Sequence, residues 1–453
     1  MLLLRQLQHQ PRRRAAGEEC PSLDGRLPCL LRDGAWRGTD MKHVIVGNGP
    51  AGVAAARTLR RIAPHDQVVV VAEESQPFYS KVLTSYFVGG KVPHEKMLLA
   101  DAEGFRAQGI QLVTGKRAVG IDSAARELLL EGGIRVRYDR LLLATGAAPF
   151  LPPIDGIDLP GVFTLWTHDD SVRLKEWVRE GQKAVVIGAG LVGLKAAEAF
   201  LMRGASATVI ELLDRVLPQV LGSDDAILVR KALERKGLAV RTGTGVARIS
   251  GKGKVQGVTL SDGTALQCDV VVVATGVRPN LDLAKSAGVA LGRGILVDEF
   301  MRTNVSDLYA AGDVAEGWDR ARGGRMPNPT WGNASEQGRI AAYNMAGYQK
   351  PFNGAVTLNT FTFLGFSMAA VGITQPESDY ARVVRYSDPR TGDYRKLVML
   401  GDRLVGAVAI GDVRMAGVWR GLIARKQADA PIAELLLGGK TNFAWSHGFA
   451  PGM

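Results

Sequence analysis

The sequence predicts an α/β protein: two mainly parallel sheets, the second inserted in the first, followed by a small α+β domain. Three observations predict it. A strand, a glycine turn, a helix and a second strand occur in that order twice along the 453 residues. Each copy is followed by an apolar strand ending in Ala-Thr-Gly. Beyond about residue 350 the pattern changes to short strands and one helix. Alternating strands and helices of the first kind build parallel sheets.

The first copy has a strand at 43–46, the turn Gly47-Asn48-Gly49-Pro50-Ala51-Gly52, a helix to Arg61, a strand at 67–71 and then an acid, Glu73. The second has a strand at 183–187, the turn Gly188-Ala189-Gly190-Leu191-Val192-Gly193, a helix to Arg203, a strand at 206–210 and then Glu211. The closing strands end in Ala144-Thr145-Gly146 and Ala274-Thr275-Gly276, 99 and 88 residues after the first glycine of each turn. Pro149, Pro152, Pro153 and Pro160 mark a linker. The expected organisation is one module from 41–160 plus 281–350, an inserted module at 161–280, and an α+β interface domain at 351–453. In that last part strands are expected at 361–371, 381–386 and 396–410, with a turn at Pro389-Arg390-Thr391-Gly392 and a helix over 413–426.

Residues 1–40 differ from the rest: an arginine run at Arg12-Arg13-Arg14, scattered prolines and no periodicity. They read as a disordered extension, or as sequence ahead of a start at Met41. Hydrophobic residues make up 46%, enough for several buried sheets, yet no stretch reaches the roughly 20 apolar residues of a membrane span. The net charge of +11 forms no single run, which argues against a nucleic-acid tail. Between 382 and 426 ten Lys/Arg face four Asp, a net +6 suited either to a solvated face or to docking an acidic partner. The three cysteines are sparse, which suits a reducing, cytoplasmic setting and is too few for an iron–sulfur cluster.

A lone GxGxxG says little, but each copy here stands between a strand and a helix, the Rossmann context. The first glycine permits the tight turn, the second admits a pyrophosphate, and the third lets helix and strand pack closely. The helix then offers free amides and a positive dipole end to the phosphates. Glu73 lies 21 residues after Gly52, and Glu211 lies 18 after Gly193, where a carboxylate meets ribose hydroxyls. A carboxylate at Glu211 repels a 2′-phosphate, so NADH is expected in the second module. Asp313, at the end of the strand-like run Leu308-Tyr309-Ala310-Ala311-Gly312, suits the ribityl hydroxyls of a flavin. A helix from Trp331 to Gly347 follows, its N-terminus placed for the flavin pyrimidine edge.

Together, two such turns, two Ala-Thr-Gly strands and a late Gly-Asp resemble the two-dinucleotide-binding-domain flavoproteins, the pyridine nucleotide-disulfide oxidoreductases, over residues 42–347. The run Pro77-Phe78-Tyr79-Ser80-Lys81-Val82-Leu83-Thr84-Ser85-Tyr86 resembles nitrite reductase and rubredoxin reductase flavoprotein domains. Leu358-Asn359-Thr360-Phe361 and Gly411-Asp412 are similar to the NADH-binding subunit of phenylglyoxylate dehydrogenase and to flavoproteins encoded beside carbon monoxide dehydrogenases. The resemblance implies an FAD site of Gly47, Gly49, Pro50, Ala51, Gly52, Glu73, Lys81, Ala118, Thr145, Gly146 and Asp313. It implies an NADH (NAD+) site of Gly188, Gly190, Leu191, Val192, Gly193, Glu211 and Gly276. Lys81 stands where the family usually has Arg.

Two departures shape the functional reading. No cysteine lies between Glu73 and Gly146, and Cys268 stands alone, so disulfide and thiol-peroxidase chemistry lack their nucleophile. Cys268 reads as buried filling at the start of a strand. Lys195 occupies the place of a family glutamate near the flavin; with Lys81 it would make the flavin pocket doubly positive. Hydride passes from NADH to FAD without a side-chain acid or base, so no catalytic residue is named, and His168 reads as a helix-start residue. The expected function is an NADH:FAD oxidoreductase passing electrons to an acidic carrier such as a ferredoxin, a rubredoxin or an iron–sulfur subunit. Alternatives are an NADH oxidase or small-molecule reductase using oxygen or quinone-like acceptors, and a redox-sensing binding protein of the apoptosis-inducing-factor type. A homodimer stays open; a metal and nucleic acid are not expected.

Overall fold

The computed structural model describes residues 40–376 and 380–425. The expectations for residues 1–39, including Cys20 and Cys29, and for 426–453 fall outside these.

The two repeated segments form two five-stranded sheets in which every paired neighbour is parallel. The first has the order Leu308–Ala310, Arg140–Leu143, Lys42–Val46, Gln67–Val71, Gln111–Val113. The second has Ala239–Thr242, Ser206–Glu211, Lys183–Ile187, Val270–Val273, Val162–Phe163. The strands are nearly continuous runs of Val, Leu and Ile because both faces are covered; Val270–Val273 is buried throughout. In each sheet the strand leading into the glycine turn is central. The chain leaves it to one side and later returns to the other, so its carboxyl end is a topological switch point, where open α/β sheets bind ligands.

Three-stranded antiparallel meanders accompany each sheet, at Ala118–Asp122, Glu127–Leu130, Ile134–Arg137 and at Val246–Ser250, Gly257–Leu260, Ala265–Gln267. The two crossings between the halves, Ala147–Pro149 and Val277–Pro279, pair as an antiparallel ribbon. Cys268 is buried just ahead of Val270–Val273, as expected.

After residue 357 an antiparallel five-stranded sheet forms, in the order Leu358–Phe363, Phe366–Gly372, Arg403–Ile410, Asp393–Leu400, Ala381–Asp388. Two sequence expectations are corrected here. The strands expected at 361–371 and 396–410 are hairpins, reversing at Leu364-Gly365 and at Gly401-Asp402. Gly365 and Gly401 both take positive φ, which a tight reversal needs; at 361–371 the apolar residues continue through the turn, whereas Gly401-Asp402 was a turn signal that the single-strand expectation passed over. The helix expected over 413–426 begins later, at Ala416–Arg425. It covers one face of the sheet through Trp419, Leu422 and Ile423. The opposite face, with Phe361, Phe363, Met368 and Val408, shares a core with Phe200, Leu194 and Val229 of the second parallel-sheet layer. At that junction Asp225 is fully buried, ion-paired with Lys396 and hydrogen bonded by the Tyr394 hydroxyl at 2.9 Å.

The helix Pro50–Ile62 packs along Trp331–Met345. Gly338 makes the approach possible: a Cβ there would sit 2.0 Å from the carbonyl oxygen of Ala51. Gly338→Ala must part the helices, and we expect a loss of about 1–3 kcal/mol in stability together with poorer flavin retention. Thermal denaturation followed by circular dichroism, with flavin absorbance on the purified variant, checks both.

Candidate functional site

The two glycine turns are geometric copies. Gly47 has φ +113° and Gly188 +108°, so both need glycine, and a Cβ would strike the carbonyl oxygens of Ala144 (2.1 Å) and Ala274 (2.3 Å). A Cβ on Gly52 would lie 1.9 Å from the Gly47 oxygen, and one on Gly193 lies 2.0 Å from that of Gly188. The middle glycines, Gly49 and Gly190, face open space. They also cap their helices without a side-chain hydrogen bond, and neither first turn holds an acid. The first intrahelical bonds are donated by Val53 to Gly49 and by Leu194 to Gly190. The amides of Ala51 and Gly52, and of Leu191, Val192 and Gly193, therefore precede the helical ladder and are available to a phosphate; Pro50 at the first helical position has none to lose.

Around the first turn, Glu73 is exposed past the end of its strand, with the Arg117 guanidinium 3.9 Å away. Ala118, the next residue, opens the strand Ala118–Asp122. Gly312, with φ +84°, donates its amide to the Gln337 side-chain Oε1 at 2.8 Å and presents Asp313. The Asp313 carboxylate makes no hydrogen bond or ion pair with the described residues, and burial raises its pKa from the usual aspartate value while Lys81 eases it back. In the first turn of Trp331–Met345, which has no side-chain cap, the buried Asn333 Oδ1 also has no partner. A partly buried free carboxylate, an uncapped helix end and an open glycine cradle fit the ribityl, pyrimidine and pyrophosphate parts of FAD.

Around the second turn, Glu211 is buried at the end of its strand. Its two oxygens accept from the amides of Ala189 (2.7 Å) and Leu213 (2.9 Å). The carboxylate is thereby fixed against the glycine turn and keeps lone pairs for a ribose. Thr145 and Gly146 are joined to Asn280: the Thr145 hydroxyl donates to the Asn280 carbonyl at 3.1 Å, and the Asn280 amide to Gly146 at 3.0 Å. In the other half the Thr275 hydroxyl donates to the Phe150 carbonyl at 2.7 Å, and the Phe150 amide to Gly276 at 2.9 Å. Each Ala-Thr-Gly thus grips the segment crossing to or from the other half.

The doubly positive flavin pocket is corrected. The Lys195 ammonium is ion-paired with buried Glu198 and donates to the Tyr86 hydroxyl oxygen at 3.0 Å and to the Thr362 carbonyl at 3.1 Å. Glu198 also accepts from the Leu364 amide at 2.7 Å. Lys195 is neutralised and joins the second parallel-sheet layer to the helix Thr84–Val88 and to the C-terminal sheet. Lys81 is paired instead with Glu74, at 3.0 Å. His168 begins the helix His168–Trp177 behind a Thr167/Asp170 capping box, as expected, and its Nε2 lies 2.7 Å from that of His94. Sequence reasoning gave no role to Tyr86, the last residue of the Pro77–Tyr86 run, and missed Glu74, Glu198, Asn280 and Gln337, which sit at no motif position. Glu74, adjoining Glu73, carried the nearest thing to a signal.

The basic stretch at 382–426 is also less free than its charge suggests. Arg385 pairs with Asp224, Arg390 with Asp388, Lys396 with Asp225, and Arg395 and Arg414 with Asp412. Among the described residues no helix is long and apolar enough to cross a membrane.

Two phosphate cradles in halves joined by one antiparallel ribbon define an oxidoreductase that uses FAD and a nicotinamide dinucleotide. Residues 41–338 match the pyridine nucleotide-disulphide oxidoreductase family, and 358–427 match the rubredoxin NAD+ reductase C-terminal domain. The chain belongs to the pyridine nucleotide-disulphide oxidoreductase family. It is 33% identical over 395 residues to the NADH-dependent phenylglyoxylate dehydrogenase subunit epsilon of Aromatoleum evansii, covering 86% of this chain and 93% of that one. It is 32% identical over 371 residues to the nitrite reductase [NAD(P)H] of Bacillus subtilis (strain 168), covering 82% of this chain but 45% of that longer protein. Among solved structures it is similar to a ferredoxin reductase from Rhodopseudomonas palustris, with 27% identity, a TM-score of 0.81, and coverage of 88% and 98%.

Lys195→Met would leave Glu198 buried without its cation. We expect a loss of about 3 kcal/mol in stability, read as a lower denaturation midpoint. Cys268 is buried and its pKa is pushed up to about 12 by desolvation, so the folded chain should resist a thiol reagent at Cys268 at pH 8. Peptide mapping after labelling, with and without denaturant, checks this.

Proposed function

We propose that this chain takes hydride from NADH onto FAD and passes the electrons one at a time to a carrier protein or iron–sulfur subunit. The observation behind the reading is the pair of matched glycine cradles, one beside a free Asp313 and the other beside Glu211. In this reading Gly47, Gly49, Pro50, Ala51 and Gly52 hold the FAD pyrophosphate. Glu73 and Ala118 hold its adenosine end, Asp313 its ribityl chain, and Lys81, Thr145 and Gly146 flank the flavin. Gly188, Gly190, Leu191, Val192 and Gly193 hold the NADH pyrophosphate, Glu211 its ribose, and Gly276 lies along its path to the flavin. FAD supplies the step from two-electron to one-electron transfer; the chain binds, orients and shields from water.

What the site holds, together with the likenesses, supports a protein acceptor. The FAD-side segment between Glu73 and Gly146 has no cysteine, and Cys268 is buried with its thiol protonated, so among the described residues electrons have no thiol relay. The likeness to rubredoxin reductase and ferredoxin reductase, and to a subunit of a larger dehydrogenase, supports a protein acceptor. A second reading, discharge to oxygen or a quinone-like molecule, is favoured by one observation: the internal pairing of Arg385, Arg390, Lys396, Arg395 and Arg414 thins the basic docking face. Anaerobic stopped-flow reduction by NADH, then turnover with an added ferredoxin or rubredoxin against the oxygen rate, decides between them. Stimulation well above the oxygen rate supports the carrier; equal rates support the second reading.

Glu211→Ala removes the acceptor expected for the adenosine ribose. We expect kcat/KM for NADH to fall about tenfold or more, with a smaller change for NADPH. Steady-state kinetics with both nucleotides measures it.

A further inference from the structure

We propose that Glu74 is a positioning residue for FAD, which holds Lys81 away from Asp313 and so keeps that carboxylate free for the flavin. The inference rests on the flavin reading of Asp313. Two acids lie within the influence of one lysine. Asp313 lacks a partner among the described residues and feels the Lys81 charge, so without Glu74 it would draw the ammonium to itself. Yet the Lys81 ammonium is ion-paired with Glu74 at 3.0 Å and makes no ion pair with Asp313.

Glu74 can outcompete because it is itself held in place. One oxygen takes Lys81; the other accepts from the Tyr79 hydroxyl at 2.6 Å and from the His168 amide at 3.2 Å, at the start of the helix His168–Trp177. Burial, then the Glu74 charge, raises the Tyr79 pKa, so Tyr79 stays a donor. The positive end of the ten-residue helix adds to the hold. The Lys81 ammonium also lies over the rings of Trp166 and Tyr79, at 5.5 and 5.8 Å, which steadies it on the Glu74 side.

The test uses the FAD-loaded full chain, diluted in steps while the fluorescence of released FAD is read. Wild type comes first: if it holds no FAD, the flavin reading itself fails. Given a flavin-loaded wild type, Glu74→Gln should weaken FAD binding about tenfold as Lys81 moves onto Asp313. Lys81→Met alone should weaken it about threefold at most, and Glu74→Gln added to Lys81→Met should weaken it no further. A Glu74→Gln value within threefold of wild type overturns the proposal, as does a double variant as weak as Glu74→Gln alone. Should Glu74→Gln not fold, Tyr79→Phe takes its place. It loosens the same clamp, so its weakening should be smaller but equally suppressed by Lys81→Met; a weakening that persists in that background overturns the proposal.

Discussion

The structure depends on a contact with no room for a side chain. In each half the third glycine lies under the carbonyl oxygen of the first, at a distance where a Cβ would overlap it. That contact presses the helix against the central strand. The amides of its first turn then face out over the strand's carboxyl end, uncapped and clear of acid. Everything assigned to dinucleotide binding is arranged around those two points. The acids Glu73 and Glu211 stand at or just past the ends of the second strands, and the Ala-Thr-Gly strands lie alongside, where their own oxygens meet the first glycines.

The charged groups near the proposed ligands are held in different ways. Glu211 is pinned by backbone amides, Asp313 has no partner among the described residues, and Glu73 and Lys81 are paired with Arg117 and Glu74. Those joining the layers are paired and buried: Lys195 with Glu198, and Lys396 with Asp225. A buried ion pair adds little net stability but is costly to break from one side. Such pairs fix one arrangement of the layers and penalise the others.

The repeated plan, the placement of both glycine turns and the parallel sheets could be read from the chain because each rests on local signals: a valine run, a glycine triplet, an acid at the next strand's end. The C-terminal sheet was legible in kind but not in connectivity. Phe361–Val371 carries apolar residues through Leu364-Gly365, so nothing marked the reversal except one glycine. Lys195 misled for a different reason. Its position relative to Gly193 was clear, but its partner Glu198 is one helical turn on and its other contacts, Tyr86 and Thr362, are over a hundred residues distant. Only the fold could show that its charge was already met. Glu74 was hidden likewise, since its three donors come from Tyr79, Lys81 and His168.

The order of strands within the sheets bears on how the molecule is made. The edge strand Leu308–Ala310 completes a sheet begun at Lys42, and the inserted module shares its core with Phe361, Phe363 and Val408. On a ribosome neither half can close until most of the polypeptide has emerged. Long-range pairing of this kind is slow and leaves apolar edges uncovered meanwhile, so nascent chains of this protein are natural clients for chaperones that shield unfinished sheets.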